Sequence, residues 1–410
     1  MEVPIIKNEA PPSTESAPKI PPGPILSIGA LFGEGKKHPN ILNNDQVIYL
    51  TSGRMAISMA LQLGNIGEND EVLVPAYHCS SMVAPIVHNQ GTPVFYKIKP
   101  DMSVDFDDLE KKTSGHTRAL LATHYFGFPQ DLPALRKFCD AHRILLIEDC
   151  AHSFFGKVAG FPVGSYGDFS IGSLMKFFPI FDGGSLTSKQ HDLSEISLKS
   201  GGKSFEIQSL INTLEKSFAY GRLPLLKWML FIPLALKSYI WNRIKKNKKN
   251  SGQSFKSAPV ASGGGFDFDS EWSNTRISLI SNLIVRIVSK PDIALKRRRH
   301  YALMAAQLSG SEEYYPLHPE LDKDAVPYVF PLIVKKPDPG FYALRASGAP
   351  LMRWEYLWEG VDGDTCKNSQ YYSRHLIQIP CHQALKTKEI EWIIRKIKEK
   401  FDSSVSDASA

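Results

Sequence analysis

Between residues 47 and 190 short apolar runs alternate with longer amphipathic stretches. The runs EVLVPAY (71–77), TPVFYKI (92–98), RALLATHYF (118–126), RILLIED (143–149), DFSIGSL (168–174) and GGSLTS (183–188) have the length and composition of strands. Segments 54–64, 79–89, 106–113 and 131–142 carry helical periodicity. This alternation predicts an α/β fold with a mostly parallel sheet covered on both faces. Ligands of such sheets sit at the carboxyl ends of the strands, where Tyr77, His124 and Asp149 fall.

The pattern changes after residue 200. LPLLKWMLFIPLALKSYIW (223–241) is strongly apolar and is followed by the basic run NRIKKNKKN and the loop-like SGQSFKSAPVASGGG. Lys227, Pro233 and Lys237 interrupt the apolar stretch, which argues against a spanning helix. Two readings stay open: an amphipathic segment lying on an anionic membrane surface, or a helix buried on the body or in a dimer contact. Farther on, ALKRRRHYALMAAQL (294–308) reads as a helix with its basic run on a solvated face, and AVPYVFPLIVKK (325–336) as a strand. Ile390, Ile393, Ile394, Ile397 and Phe401 recur at helical spacing and predict an amphipathic closing helix. The expected organisation is a flexible arm over 1–45, a large domain over 46–199, an insertion over 200–265, a smaller α+β domain over 266–402 and a disordered tail over 403–410.

Composition narrows the class. A chain of 410 residues, 43% hydrophobic, can bury a full core. A net charge of +6 from 48 basic and 42 acidic residues is too mixed to argue for nucleic acid. Cys79, Cys139, Cys150, Cys366 and Cys381 are scattered with no CxxC pair, which suggests reduced thiols in a cytosolic protein. The first 24 residues lack an apolar core resembling a signal peptide.

Three stretches carry chemistry. In LTSGRMAISMAL (50–61), Ser52 and Gly53 precede a helix, where free backbone N–H groups and the dipole favour an anion; an ordinary N-cap is the plainer reading. In GSLMKFFPIFDGGSLTS (172–188), Lys176 lies between an apolar strand and an aromatic patch. Desolvation there lowers a lysine's pKa and makes it a competent amine nucleophile, with Ser173 placed to bind a phosphate of the same ligand. In IEDCAHS (147–153), Asp149 ends a buried run and needs a cationic partner. An anion-binding turn, the aromatic Tyr77, a strand-end aspartate and a lysine together suit pyridoxal phosphate: the helix end takes the phosphate, the lysine bonds the aldehyde carbon, and the aspartate pairs with the ring nitrogen. The SxxK string of Ser173 and Lys176 lacks the SDN and KTG companions of penicillin-binding enzymes. No close cysteine or carboxylate set completes a zinc site around His124 or His152, so no metal is expected, and His124 is expected to line the cofactor pocket. In YYSRHLIQIPCHQAL (371–385), His375, His382 and Gln383 read equally as a turn and strand or as substrate contacts.

The strings SGRMAISMAL, GENDEVLVPAYHCSS, HYFGFPQDLPAL, IEDCAHSFFG, VGSYGDFS and FDGGSLTS, in this order, resemble the DegT/DnrJ/StrS-type aminotransferases. The resemblance covers about residues 45–190, returns at WSNTRIS (272–278) and runs loosely through 290–402; PAYHC and THYFGFPQ suggest a divergent branch. It implies a fold-type-I architecture with a mostly parallel seven-stranded sheet, a homodimer, and transfer of an amino group to a nucleotide-linked keto-sugar. Glutamate is the plausible donor, and bacterial polysaccharide or glycoconjugate synthesis the setting. By position, Lys176 would hold the cofactor as a Schiff base and shuttle the proton, Asp149 would pair with the pyridinium nitrogen, and His152 would lie near the phenolic oxygen. Ser52, Gly53 and Arg54 would form the phosphate turn with Ser173, and Asn274 would reach the phosphate of the other subunit.

Three features depart from the family. Arg54 stands where a small residue is usual, and Tyr77 and His78 flank Cys79, where the ring-stacking aromatic is expected. The interval from Lys176 to Asn274 is longer than usual. Rival expectations are a pyridoxal phosphate enzyme of another reaction type or for a non-sugar ketone, and a non-catalytic scaffold or regulator at the membrane. The expected location is the cytoplasm, with contact at the inner membrane face if the amphipathic reading of 223–250 holds.

Overall fold

The computed structural model describes residues 17–33, 35–43, 46–230 and 268–402. The large sheet is built from β1 (Gln46–Leu50), β2 (Glu71–Pro75), β3 (Thr92–Tyr96), β4 (Thr117–Thr123) and β5 (Leu145–Asp149). After a small hairpin of β6 (Lys157–Val158) and β7 (Phe161–Pro162), it is completed by β8 (Phe169–Ser173) and β9 (Gly184–Ser188). Its seven strands run in the order β1-β9-β8-β5-β4-β2-β3. The neighbours from β3 to β8 are parallel, and β9 is antiparallel to both β8 and β1. The expected mostly parallel seven-stranded sheet is therefore present. All five residues of β8 and the β5 segment Leu146–Asp149 are buried, because helices close both faces of the sheet.

The sequence pattern alone did not reveal β1. Four of its five residues are only half-buried, so QVIYL shows neither a continuous apolar run nor a clear alternation. Helices α1 (Gly53–Leu63), α2 (Ser80–His88), α3 (Phe106–Lys112) and α4 (Leu132–His142) fall within a residue or two of the periodic segments. Ser52 caps α1 by accepting the Met55 N–H, and Asp131 caps α4 by accepting that of Ala134. The start of α1 lies hard against the sheet: a Cβ on Gly184 would collide with the Ser52 carbonyl, so glycine there lets β9 pass beneath the turn.

Residues expected to be an insertion begin with an ordered helix, α5 (Gly202–Ala219), followed by the short α6 (Pro224–Met229). The buried positions of α5 include Ser209, Thr213 and Ser217, four residues apart, so its packed face is made partly of hydroxyls and gives little hydrophobic signal. Those hydroxyls have a buried destination. Asp182 Oδ1 accepts from Ser209 Oγ at 2.5 Å, Ser278 Oγ at 2.7 Å and Ser281 Oγ at 2.8 Å, while Oδ2 accepts the Ser278 N–H at 2.8 Å. This polar knot ties α5 to the start of α7 (Leu279–Ile287).

Beyond α7, the long α8 (Lys290–Gln307) leads into an antiparallel sheet of β10 (Tyr314–Pro316), β11 (Val329–Val334) and β12 (Leu376–Pro380) in that order. Helices α9 (Gly340–Ala346), α10 (Lys367–His375) and α11 (Thr387–Phe401) accompany it. On α11, Ile390, Ile393, Ile394, Ile397 and Phe401 are all buried in one cluster with β11 and β12, as their spacing predicted. The KRRRH run of α8 corrects an expectation. Arg299 is exposed, but Arg297 falls with Ile293, Tyr301 and Met304 on the buried face and is itself completely buried. Part of the segment expected to be a flexible arm is also packed: Ile20 and Ile25 are 5% and 3% exposed.

Candidate active site

The carboxyl ends of β4, β5 and β8 and the first turn of α1 open into one cavity of about 600 Å³. Gly53, Arg54, Cys79, Asp149, His152, Ser173 and Lys176 line it, so seven of the eleven candidate site residues meet there. Asp149 is 3% exposed and accepts the Ala151 N–H at 2.9 Å. Burial raises its pKa, and the nearby Lys176 ammonium opposes that rise. Burial pushes the Lys176 amine down, with Cys79 and Asp149 pulling the other way. The Lys176 Nζ lies 5.4 Å from the centroid of the Tyr328 ring.

His152 has its pKa held well below the usual value, first by burial and then by the Lys176 charge. The ring is therefore neutral. Its Nδ1 accepts the Phe126 N–H at 3.5 Å, which leaves the proton on Nε2 as a donor. Tyr328 stacks on this imidazole at 4.4 Å between ring centroids, and Trp354 lies at 5.3 Å.

The other four candidates lie elsewhere. The Ser52 hydroxyl is engaged as the α1 cap. Tyr77 is buried behind the cavity wall, packed on Trp354 at 5.1 Å and on Tyr125 at 5.7 Å. His78 stacks on Phe95 and is bonded at both nitrogens: Nε2 accepts the Trp358 N–H at 3.0 Å, and Nδ1 donates to the Pro75 carbonyl at 3.1 Å. Burial lowers its pKa to about 4, so it stays neutral. Asn274 is exposed and does not line the cavity of its own chain; its carbonyl accepts the Lys199 N–H at 2.7 Å.

Glu148 and His124 form a separate unit, and the expectation for His124 is corrected. His124 does not line the cavity. Its Nδ1 accepts the Gln130 N–H at 3.1 Å, so Nε2 carries the proton and donates to Glu148 at 3.3 Å. Glu148 also accepts the N–H groups of Gly164 at 2.8 Å, Tyr166 at 2.7 Å and Gly167 at 2.5 Å. Its role is to fold the 164–167 turn against the end of β5. The structure does bring a cysteine and a carboxylate to His124, contrary to the sequence reading, since ligand atoms of His124, Glu148 and Cys150 lie within 4.8 Å of one another. That set is accounted for without an ion: the carboxylate is saturated by four donors, and burial keeps the Cys150 thiol protonated.

Several lining residues escaped the sequence reading: Thr123, Lys216, Tyr328, Trp354 and Gln378, with the Pro22–Pro24 segment. His382 lines the cavity as well, whereas His375 donates to the Val334 carbonyl and Gln383 to that of Phe177. Beneath the lysine, Arg297 donates to Lys176 O at 2.6 Å, Pro327 O at 3.1 Å, Tyr328 O at 2.9 Å and Gln383 Oε1 at 3.1 Å. Its guanidinium stacks on Phe177 at 4.5 Å, and burial lowers its pKa to about 10.

Comparison with known proteins adds to this geometry. Residues 36–209 match the DegT/DnrJ/EryC1/StrS aminotransferase family. GDP-perosamine synthase from Vibrio cholerae is 35% identical over 122 residues, which are 30% of this chain and 33% of that protein. The dTDP-4-dehydro-2,3,6-trideoxy-D-glucose 4-aminotransferase of Saccharopolyspora spinosa is 29% identical over 153 residues, 37% of this chain and 40% of the relative. The chain thus spans about a third of the length of the first of these curated relatives and two fifths of the second. Spr1654 from Streptococcus pneumoniae superposes with a TM-score of 0.66 at 17% identity, covering 96% of this chain and all of that one, and shows the shared fold.

Proposed function

We infer that this chain, which belongs to the DegT/DnrJ/EryC1/StrS aminotransferase family through residues 36–209, is a pyridoxal-phosphate-dependent aminotransferase. Its proposed reaction carries an amino group from an amino acid, with glutamate the expected donor, to a nucleotide-linked keto-sugar. The observation that carries the reading is the meeting of a desolvated lysine, a buried aspartate and an open helix N-terminus in one cavity.

The residues fit the cofactor. Asp149 is a buried carboxylate with one backbone donor and room for a cation beside it. The Thr123 hydroxyl is buried in the same cavity without a partner among the described residues. Gly53 brings the backbone of α1 close to Ser173: a Cβ there would stand 3.3 Å from Ser173 Cβ and from the Gly172 carbonyl.

Pyridoxal phosphate, when bound, supplies a carbonyl that condenses with amines and a ring that accepts an electron pair. The chain's residues divide the remaining work. The α1 N–H groups of Gly53 and Arg54, with Ser173, would hold the phosphate, where backbone donors and the helix dipole favour an anion. Asp149 would keep the ring nitrogen protonated, and the Nε2–H of His152 would be the donor available to the phenolic oxygen. Lys176, with its pKa lowered by burial, has a larger share of free amine than a surface lysine. With the cofactor bound, it would be the amine that holds it and the group that carries the proton during transfer. Cys79, in contact range of this cavity, is not an aromatic, and the rings nearest His152 are Tyr328 and Trp354.

The test is spectroscopic. Purified chain mixed with pyridoxal phosphate should develop a visible or near-ultraviolet band, and glutamate should convert it to the pyridoxamine form. Absence of any band after added cofactor would overturn the enzymatic reading in favour of a scaffold; a band indifferent to glutamate would remove only that donor.

A membrane-surface contact through residues 223–250 belongs to the same proposal. Its support is that α6 leaves Leu225, Trp228 and Met229 exposed at 75%, 79% and 69%, ahead of an apolar and then basic sequence. Residues 231–250 of that stretch lie outside the described residues. No helix among the described residues is long and apolar enough to cross a membrane. Co-sedimentation with anionic liposomes should fall when 223–250 is deleted and with added salt. Equal sedimentation of the two proteins would dismiss the contact.

A further inference from the structure

One wall of the cavity is not used by any residue assigned to the cofactor. It is formed by the Pro22–Pro24 segment, Met352, Gln378, Pro380 and His382. The segment is a strap fastened at two points. His382 Nε2 lies 3.0 Å from the Pro21 carbonyl, and the Leu26 N–H donates to Ser217 Oγ at 3.0 Å. Ile20 and Ile25, both buried, anchor it on either side.

The first fastening determines the chemistry of the histidine. A carbonyl oxygen only accepts, so Nε2 carries the proton. Burial holds the imidazole neutral, with a pKa well below the usual value, and Nδ1 is left as a lone-pair acceptor. That atom is buried and has no partner among the described residues, and the whole residue is 2% exposed. The neighbouring Gln378 side chain, 1% exposed on β12, has the buried Tyr77 hydroxyl as its hydrogen-bonding neighbour, so the unmet group on this wall is the histidine nitrogen. Buried polar atoms are ordinarily paired, so an unmet acceptor on the cavity wall points to a ligand that supplies a donor. Hydroxyl groups donate and accept at once.

Resting on the aminotransferase reading, we propose that His382 Nδ1 accepts a hydrogen bond from a hydroxyl group of the amino acceptor, making this wall the face that selects a hydroxylated ring. The strap then has a defined purpose. By holding Pro21 it fixes the His382 tautomer, so that the nitrogen facing the ligand is an acceptor and not a donor.

Two substitutions separate the hydroxyl contact from the strap. His382→Gln keeps a donor that reaches the Pro21 carbonyl and removes the acceptor at the Nδ1 position. His382→Asn keeps an oxygen at the Nδ1 position and releases the strap. The probes are GDP-, dTDP- and UDP-linked 4-keto-6-deoxyhexoses and scyllo-inosose, each mixed with the pyridoxamine phosphate form. Recovery of the pyridoxal band is the readout. His382→Gln should raise the acceptor KM about tenfold, the measure of one hydrogen bond, with a much smaller change in kcat; His382→Asn, which restores an acceptor at that position, should recover part of the loss. The proposal is overturned by an unchanged KM in His382→Gln, by a loss confined to His382→Asn, or by equal losses in the donor and acceptor half-reactions. A wild type that glutamate converts but no probe reverts also overturns it. A wild type that glutamate does not convert instead overturns the aminotransferase reading itself, and this inference with it.

Discussion

Lys176→Ala is expected to abolish the cofactor band and to lower kcat by about 10⁴-fold or more, because in the proposed reaction one side chain serves both as the bonding amine and as the proton carrier. The fold should not suffer. Burial depresses the lysine's pKa, which means its charged form is disfavoured where it stands, and removing it relieves that cost. The expected result is thus a chain as stable as the wild type that shows no band. Lys176→Arg should behave alike, since a guanidinium retains the charge and offers no free amine. Titration with pyridoxal phosphate, followed by absorbance and by thermal unfolding, checks both halves. A band in the alanine variant would show that another amine bonds the cofactor.

The same variant tests the dimer. Asn274 is exposed and away from its own cavity, which suits service to a neighbouring copy. Neither Lys176→Ala nor Asn274→Ala should be fully active alone. If the chain dimerises as the family resemblance implies, refolding the two together gives mixed dimers in which one site has both native residues. Activity should therefore reappear on mixing. If the mixture is no more active than the better parent, Asn274 does not act across an interface.

Arg297→Ala is expected to destabilise the protein by about 4 kcal/mol, among the largest effects available to a single substitution. All the recorded partners of this buried guanidinium are neutral oxygens, three of them main-chain carbonyls. Alanine would leave Lys176 O, Pro327 O, Tyr328 O and Gln383 Oε1 without their donor and open a cavity over Phe177. Arg297→Lys should recover only part of the loss, since three donors on one nitrogen cannot reproduce a planar fork. Chemical denaturation measures the difference. A change within about 0.5 kcal/mol, the range of an ordinary surface substitution, would show that the clamp contributes nothing. The clamp also has a functional side: it holds the backbone of the proposed catalytic lysine and the carbonyl of Tyr328 on one rigid group.

The sheet and the floor of the cavity were legible because local strings carry them. Runs such as LLIED announce buried strands, and Gly53, Asp149, Ser173 and Lys176 each sit at the boundary of a readable element. Tyr77 and His78 misled because their type suggested a stacking role, while tertiary neighbours claimed them: Tyr125, Trp354 and Tyr372 for the first, Phe95 and Trp358 for the second. The far wall was illegible for another reason. Residues 22–24, 328, 354 and 378 meet only through packing, and no spacing along the chain relates them; of this wall the sequence singled out His382 alone. Arg297 could have been found: Ile293, Tyr301 and Met304 at helical spacing place position 297 on the apolar face. Its charge concealed it.

The knot at Asp182 has a consequence for how this chain can vary. Ser209 before the long excursion and Ser278 after it are bonded to the same carboxylate. The two stems of everything between them are thereby held together independently of what the intervening residues do. Loop-closure entropy grows only with the logarithm of length, so dozens of residues can be added or removed there at a cost of about 1 kcal/mol or less. Apart from Lys216, which lines the cavity, and Ser217, which holds the strap, the excursion is in effect an exchangeable cassette plugged into a fixed socket, and evolution can rewrite its contents without renegotiating the site.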